Sequence, residues 1–92
     1  MKAIINEKLY DTETADELYE FRRKYPSVCV NGIQLYGFHD VILYKTKKGA
    51  YFEYDKLDKE ITTTTKESAK DIVKHCSPDA YMEIWGVKVE DA

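Results

Sequence analysis

The stretch Val41–Asp55, VILYKTKKGAYFEYD, decides the fold. Two apolar, tyrosine-rich runs flank Thr46-Lys47-Lys48-Gly49, the pattern of a β-hairpin. A three-residue loop, Lys47-Lys48-Gly49, closes it as a type I turn with the glycine in the left-handed region, where a Cβ is unfavourable. That loop pairs Thr46 with Ala50, Tyr44 with Phe52 and Ile42 with Tyr54. One face then carries Ile42, Tyr44, Phe52 and Tyr54. The other carries Val41, Leu43, Lys45, Tyr51, Glu53 and Asp55. A two-residue loop, Lys48-Gly49, would set Lys45 against Phe52 and Tyr44 against Glu53, and a one-residue slip sends every side chain to the other face. The first register segregates apolar from charged residues better. It places Tyr44 and Tyr54 in the core and Tyr51 outside, beside Lys45.

Working outward, Lys2–Tyr10 reads as strand, tight turn, strand, with Asn6-Glu7 at the turn because Asn tolerates positive φ; a single bent strand is the alternative. Asp11-Thr12-Glu13-Thr14 reads as a helix start, with a capping oxygen at Asp11 or Thr12 and Glu13 at the positive end of the dipole. Ala15, Leu18, Tyr19, Arg22 and Tyr25 follow helical spacing. Basic residues 22–24 and Pro26 supply a stop signal, so a helix is expected over about 12–24. Its opposite side would carry Glu13, Asp16, Glu17 and Glu20 as an acidic ridge. Such ridges are commonly solvated faces; the functional alternative is a docking surface for a basic partner.

In Ser27–His39, Asn31-Gly32 between two apolar runs signals a further small hairpin, ended by Gly37. After Asp55, KLDKEITTTT reads as a loop or short irregular strand anchored by Leu57 and Ile61. Ala69, Ile72, Val73 and Cys76 give an amphipathic helix over about 66–76, with Thr65 as N-cap. Ser77-Pro78 starts a second helix, about 78–85, that ends at Gly86. The fold class is therefore α+β. A small antiparallel sheet is built on the central hairpin (about 41–55), packed by an N-terminal helix and two short C-terminal helices.

The chain has 92 residues, which fits a single domain with a small core. A net charge of −3 argues against bulk electrostatic binding of nucleic acid. The start MKAIINEK does not read as a signal peptide, and Cys29 and Cys76 show no paired spacing. The expected setting is a reducing bacterial cytoplasm with free thiols. Cys29, His39, His75 and Cys76 match no metal spacing, and Cys76 falls on the apolar stripe of its helix, so no metal site and no cofactor are expected. No activated nucleophile, phosphate-cradling glycine loop or paired acid and base is evident. Lys45, Lys47 and Lys48 with Tyr44 and Tyr51 form the one candidate for a basic, aromatic nucleic-acid tip. Charges at a hairpin tip also serve simply to keep it soluble.

The opening MKAIINEKLYDTETADEL, the hairpin ILYKTKKGAYFEY and the ending DAYMEIWGVKVEDA resemble a group of small proteins carried by phages and mobile elements of Firmicutes. Members open with a K-L-Y-D-T-E-T-A-like string, carry an L-Y-R-T-K-K-G-x-Y-F-like hairpin and close with a D-x-Y-E-E-I-F-G-like helix. The resemblance covers roughly half the chain. It breaks at Ser27–Phe38 and at DKLDKEI, where the similar proteins have a glycine-rich stretch. It implies an antagonist of host defence that binds and blocks rather than catalyses, anti-CRISPR proteins being the best-known class. The expected partner is a host protein with a basic surface, such as a CRISPR effector nuclease, met by Glu13, Asp16, Glu17 and Glu20, whose carboxylates on a helix would imitate a row of phosphates. The alternatives are a sponge for a small molecule or nucleotide messenger and a small nucleic-acid-binding accessory protein. The monomer and the homodimer both stay open.

Overall fold

A computed structural model describes residues 1–92. In chain order the elements are β1 (Lys2–Ile5), β2 (Lys8–Asp11), β3 (Asp16–Val30), β4 (Ile33–Lys45), β5 (Tyr51–Asp55), β6 (Glu60–Thr64), α1 (Lys66–Cys76) and α2 (Pro78–Trp85). Strands β3-β4-β5-β6 form one antiparallel sheet in sequence order, and β1 and β2 pair separately. No helix is long and apolar enough to cross a membrane.

The central hairpin has the register that charge segregation favours. Tyr44 lies opposite Phe52 and Ile42 opposite Tyr54, and Thr46 N–H donates to the carbonyl of Ala50 at 2.7 Å. Gly49 takes φ 94°. Both faces of this hairpin are covered. On one, Tyr10 of the β1–β2 hairpin packs with Ile42, Tyr44, Phe52 and Ile61. The Tyr44 and Phe52 rings stack at 5.0 Å, and Tyr10 meets Phe52 edge-on at 5.6 Å. On the other face, Ala69 and Val73 of α1 close over Leu43 and Tyr51.

Tyr51 is therefore buried, not outside: it is 5% exposed, and its hydroxyl accepts a hydrogen bond from the Trp85 indole at 3.2 Å. A face carrying Val41, Leu43 and Tyr51 among charged residues is apolar enough at one end to seat two helices. Lys45 stays at its margin, with Nζ 5.9 Å from the Tyr51 ring centroid.

The largest correction concerns residues 12–24. No N-terminal helix forms there; Asp16–Val30 is a 15-residue strand. Asp11 still caps, its Oδ1 accepting from Glu13 N–H at 2.9 Å, but the bond closes a turn instead of opening a helix. Within the strand, Tyr19, Phe21, Arg23 and Tyr25 alternate onto the helix-covered face, opposite Leu43, Val41, His39 and Gly37. Their period of two, in β-favouring aromatic residues, prevails over the helical spacing. Pro26, which resembled a helix stop, is tolerated because β3 is an edge strand.

Asn31-Gly32 does turn the chain, at φ 51° and 77°, but the hairpin is long. Gly37 does not end it, being paired with Tyr25 inside a ladder that continues into the central hairpin. Residues 60–64 form the regular edge strand β6. Ile61 anchors it in the core, whereas Leu57 is exposed. The two C-terminal helices have the expected boundaries. Thr65 Oγ1 accepts from Ser68 N–H at 3.1 Å and Ser77 Oγ from Ala80 N–H at 3.2 Å. Cys76, expected on the buried stripe, is exposed, as is Cys29.

Candidate functional site

Three surface regions carry chemistry. The first lies on the helix-covered face of the sheet, beyond the helices. There the register brings Arg23, His39, Glu53 and Asp55 together from three strands. Arg23 Nη1 donates to Glu53 Oε1 at 2.7 Å, and that bond raises the guanidinium's already high pKa. His39 Nδ1 is 2.8 Å from Asp55 Oδ2 and 3.7 Å from Asp58 Oδ2. The Tyr25 ring leans on His39 at 4.2 Å between centroids. Burial alone would raise the Asp55 pKa. The bond to His39 and the backbone N–H groups of Asp58 and Leu57 outweigh it and hold the carboxyl below its ordinary range.

The cleft among these residues has a volume of about 160 Å³ and is bordered by Thr62 and Glu60. Ligand atoms of His39, Asp55 and Asp58 lie within 4.8 Å of one another. Asp55 already uses both oxygens, however, Oδ2 toward His39 and Oδ1 for two backbone donors. No serine, cysteine or threonine is hydrogen-bonded to the imidazole. The cluster ties β3, β4, β5 and the 56–59 turn together. Sequence reasoning missed it, although the hairpin register already put His39 and Asp55 on one face, two residues apart across the ladder.

The second region comprises the four acidic residues Glu13, Asp16, Glu17 and Glu20. All are exposed, but they do not form a helical row. Glu13 sits in the turn after β2. Glu17 and Glu20 lie opposite Tyr44 and Ile42 on the face covered by β1–β2, and Asp16 opposite Lys45. Asp16 accepts from Lys47 Nζ at 2.7 Å and Glu20 from Lys56 Nζ at 3.3 Å. Only Glu13 and Glu17 are free of ion pairs. Burial, and then Glu17, raises the Tyr44 pKa. The basic tip does not assemble either. Tyr44 and Tyr51 are buried on opposite faces, and Lys47 is engaged by Asp16.

The third region is an arm, the far half of the β3–β4 hairpin from about Tyr25 to Phe38. Of the eleven large apolar side chains that are exposed, six lie on it: Val28, Val30, Ile33, Leu35, Tyr36 and Phe38. Isolated exposed apolar residues are ordinary, but a concentration on one element is not. Two strands alone are marginal in water, and this ribbon has no layer above or below it. A bulge between Pro26 and Cys29 twists it further.

A groove of about 420 Å³ between α1, α2 and the C-terminal tail is lined by Lys74, Tyr81, Met82, Val89, Glu90 and Asp91. One lysine against two carboxylates is a poor receptor for an anionic nucleotide. No family model matches this chain, and no curated protein or solved structure shows detectable similarity to it.

Proposed function

We propose that the chain is a non-enzymatic, protein-binding inhibitor of the kind carried by phages and mobile elements. Its target class is a host defence nuclease such as a CRISPR effector, and it docks through the β3–β4 arm. The arm carries this reading: a two-stranded ribbon, continuous with the core sheet, that presents apolar and aromatic side chains to solvent. Tyrosine and phenylalanine at such positions are the usual anchors of protein interfaces. The arm also contains Ser27–Phe38, where the resemblance to the mobile-element proteins breaks, as a target-specific surface should. Glu13 and Glu17, free of ion pairs, supply an accessory acidic contact for a basic partner surface. A helix imitating a row of phosphates has no part in it, because residues 12–24 form no helix.

The test is plasmid interference in bacteria with an active CRISPR nuclease, run over a panel of effector types, with binding to each purified effector alongside. The chain is expected to restore establishment of a targeted plasmid for one effector and to bind it. Ile33→Asp combined with Leu35→Asp should abolish both effects while the fold persists by circular dichroism. Glu13→Lys with Glu17→Lys should weaken binding and reduce its salt dependence. Full protection by the arm variant removes the arm from the mechanism. Failure to bind any effector overturns the inhibitor reading.

A further inference from the structure

Strand β3 is the longest strand of the sheet, yet its outer edge has no neighbour. The opposite edge, β6, is only five residues long. A long open strand is a template for pairing, and proteins usually cover or interrupt it; the bulges of β3 and Pro26 interrupt its ends but leave Tyr19–Tyr25 regular and open. The molecule also exposes more surface than its size requires. Its accessible area is 6854 Å², against about 5,500 Å² for a compact monomer of this mass. The surplus of roughly 1,300 Å², to which the uncovered arm contributes, exceeds the ~800 Å² that one partner gives to a standard interface. The radius of gyration, 15.4 Å, is likewise above the ~12 Å of a compact chain of this length.

We propose that a second copy of this chain covers the edge, pairing β3 antiparallel with β3 of the partner subunit about a two-fold axis at Phe21. The inference stands independently of the inhibitor reading. Antiparallel partners share a face, so a two-fold axis that keeps the faces aligned must pass through a residue position. Within the regular run that starts at Tyr19, after the first bulge, the charges then select among positions 20 to 23. An axis at Phe21 sets Glu20 against Arg22 of the partner subunit, twice by symmetry. It also sets Tyr19 against Arg23 of the partner subunit, and the two Phe21 rings against each other. An axis at position 20 opposes Glu20 to the partner's Glu20. At position 22 it opposes Arg22 to the partner's Arg22. At position 23 it opposes Arg23 to the partner's Arg23 and Arg22 to the partner's Lys24. Like charges directly opposite destabilise a ladder and opposite charges support it.

The side chains needed are already in place. Tyr19 and Phe21 lie parallel, 6.5 Å apart, and the Arg23 guanidinium sits 5.1 Å from the Phe21 ring centroid. Two-fold repetition joins these into one continuous aromatic and guanidinium seam beside the helices. Glu20 and Arg22 are exposed on the other face, held only by surface pairs to Lys56 and Asp40 at 3.3 Å each. Such pairs exchange partners at little cost. The register uses the regular run from Tyr19 to Arg23, between the two bulges of β3.

Sedimentation equilibrium on the full chain, from micromolar to millimolar concentration, is expected to give twice the 10.8 kDa chain mass. Glu20→Arg alone and Arg22→Glu alone should each weaken self-association by roughly tenfold or more, because each makes both symmetric contacts repulsive. Mixing the two variants should restore the dimer as a heterodimer, since both contacts between positions 20 and 22 then join opposite charges again. Circular dichroism verifies folding of each variant, and Glu20→Lys with Arg22→Asp repeats the test should one misfold. A wild-type monomer throughout that range overturns the proposal. So does a dimer insensitive to both single variants, or one that mixing fails to restore. A dimer broken by Ile33→Asp but not by Glu20→Arg would overturn it too, putting the second copy on the arm instead.

Discussion

Strand β4 runs through two different environments. From Val41 to Tyr44 every residue is buried, between the β1–β2 hairpin on one side and α1 on the other. From Ile33 to Tyr36 every residue is exposed. Both runs, IQLY and VILY, carry two or three aliphatic residues and end in tyrosine, the first differing by a glutamine at position 34. What differs is the supply of covering layers, which come from the chain on either side of the central hairpin and extend only over its end of the sheet. Apolar sequence therefore becomes core at one end of the ladder and exposed surface at the other. The 47 × 43 × 19 Å extents record that division.

Paired truncations are the most direct way to break this contrast. Phe52 is fully buried between Tyr10 and Tyr44, so Phe52→Ala should cost about 3–5 kcal/mol. That is enough to unfold much of a domain whose whole stability is of the order of 5–15 kcal/mol. Phe38→Ala on the arm should change stability by no more than about 0.5 kcal/mol. Urea unfolding of the two variants measures both values. A loss above about 2 kcal/mol at Phe38 would mean that the arm is part of the core.

The boundary between the two regions is held by Arg23 and Glu53. Glu53 is nearly buried, and Arg23 is about one-third exposed. Removing the cation strands a desolvated carboxylate, so Arg23→Ala is expected to cost about 2 kcal/mol, less than a fully buried pair because water reaches the guanidinium. Arg23→Ala combined with Glu53→Gln should recover part of the loss, since the neutral amide is cheaper to bury. Thermal unfolding reads the effect, at about 4–8 °C per kcal/mol for a domain of this size. If the double variant is no better than the single one, the contribution of Arg23 is packing rather than charge.

Much of the covered end was legible in the sequence, because its signals are local. Register followed from one glycine and a charge pattern, and both helices from their caps at Thr65 and Ser77. The β1–β2 turn followed from Asn6, which takes φ 51° with Glu7 at 62°. The errors came where long-range pairing decided the outcome. DELYEFRRKY satisfies a helical period at Leu18, Tyr19, Arg22 and Tyr25, and a strand period at Tyr19, Phe21, Arg23 and Tyr25. Only the presence of β4 as a partner settles it. The burial of Tyr51 was hidden for the same reason, since nothing local says that α1 and α2 return to that face. The site residues depended on the missing strand. Once β3 replaces the helix, the acidic ridge disperses, while Arg23 and Tyr25 join His39 and Asp55.

Hydrogen exchange can trace the contrast without mutation. Amides of Val41–Tyr44 and Tyr51–Glu53 should exchange only through global unfolding, and those of Val28–Leu35 orders of magnitude faster, although both sets belong to the same sheet. Equal protection along β4 would mean that something covers the arm in solution.

The smallest effect expected is a pH dependence at the inner end of the arm. The folded-state pKa of Asp55 lies below its ordinary value, because hydrogen bonds from His39 and two backbone N–H groups outweigh the effect of burial. A group with a depressed folded pKa stabilises fully above its unfolded value, near 4, and that contribution fades as pH falls through the folded value. Wild type should therefore lose stability below about pH 4 more steeply than Asp55→Asn, which has no carboxyl there to protonate. The variant should be less stable at neutral pH by about 1 kcal/mol, and the gap should narrow in acid. Urea midpoints measured for both proteins from neutral pH down to about pH 3 test this. Parallel curves would show that the folded-state pKa of Asp55 is not depressed, and that His39 and the two backbone donors favour the carboxylate no more than the asparagine amide oxygen that can replace it.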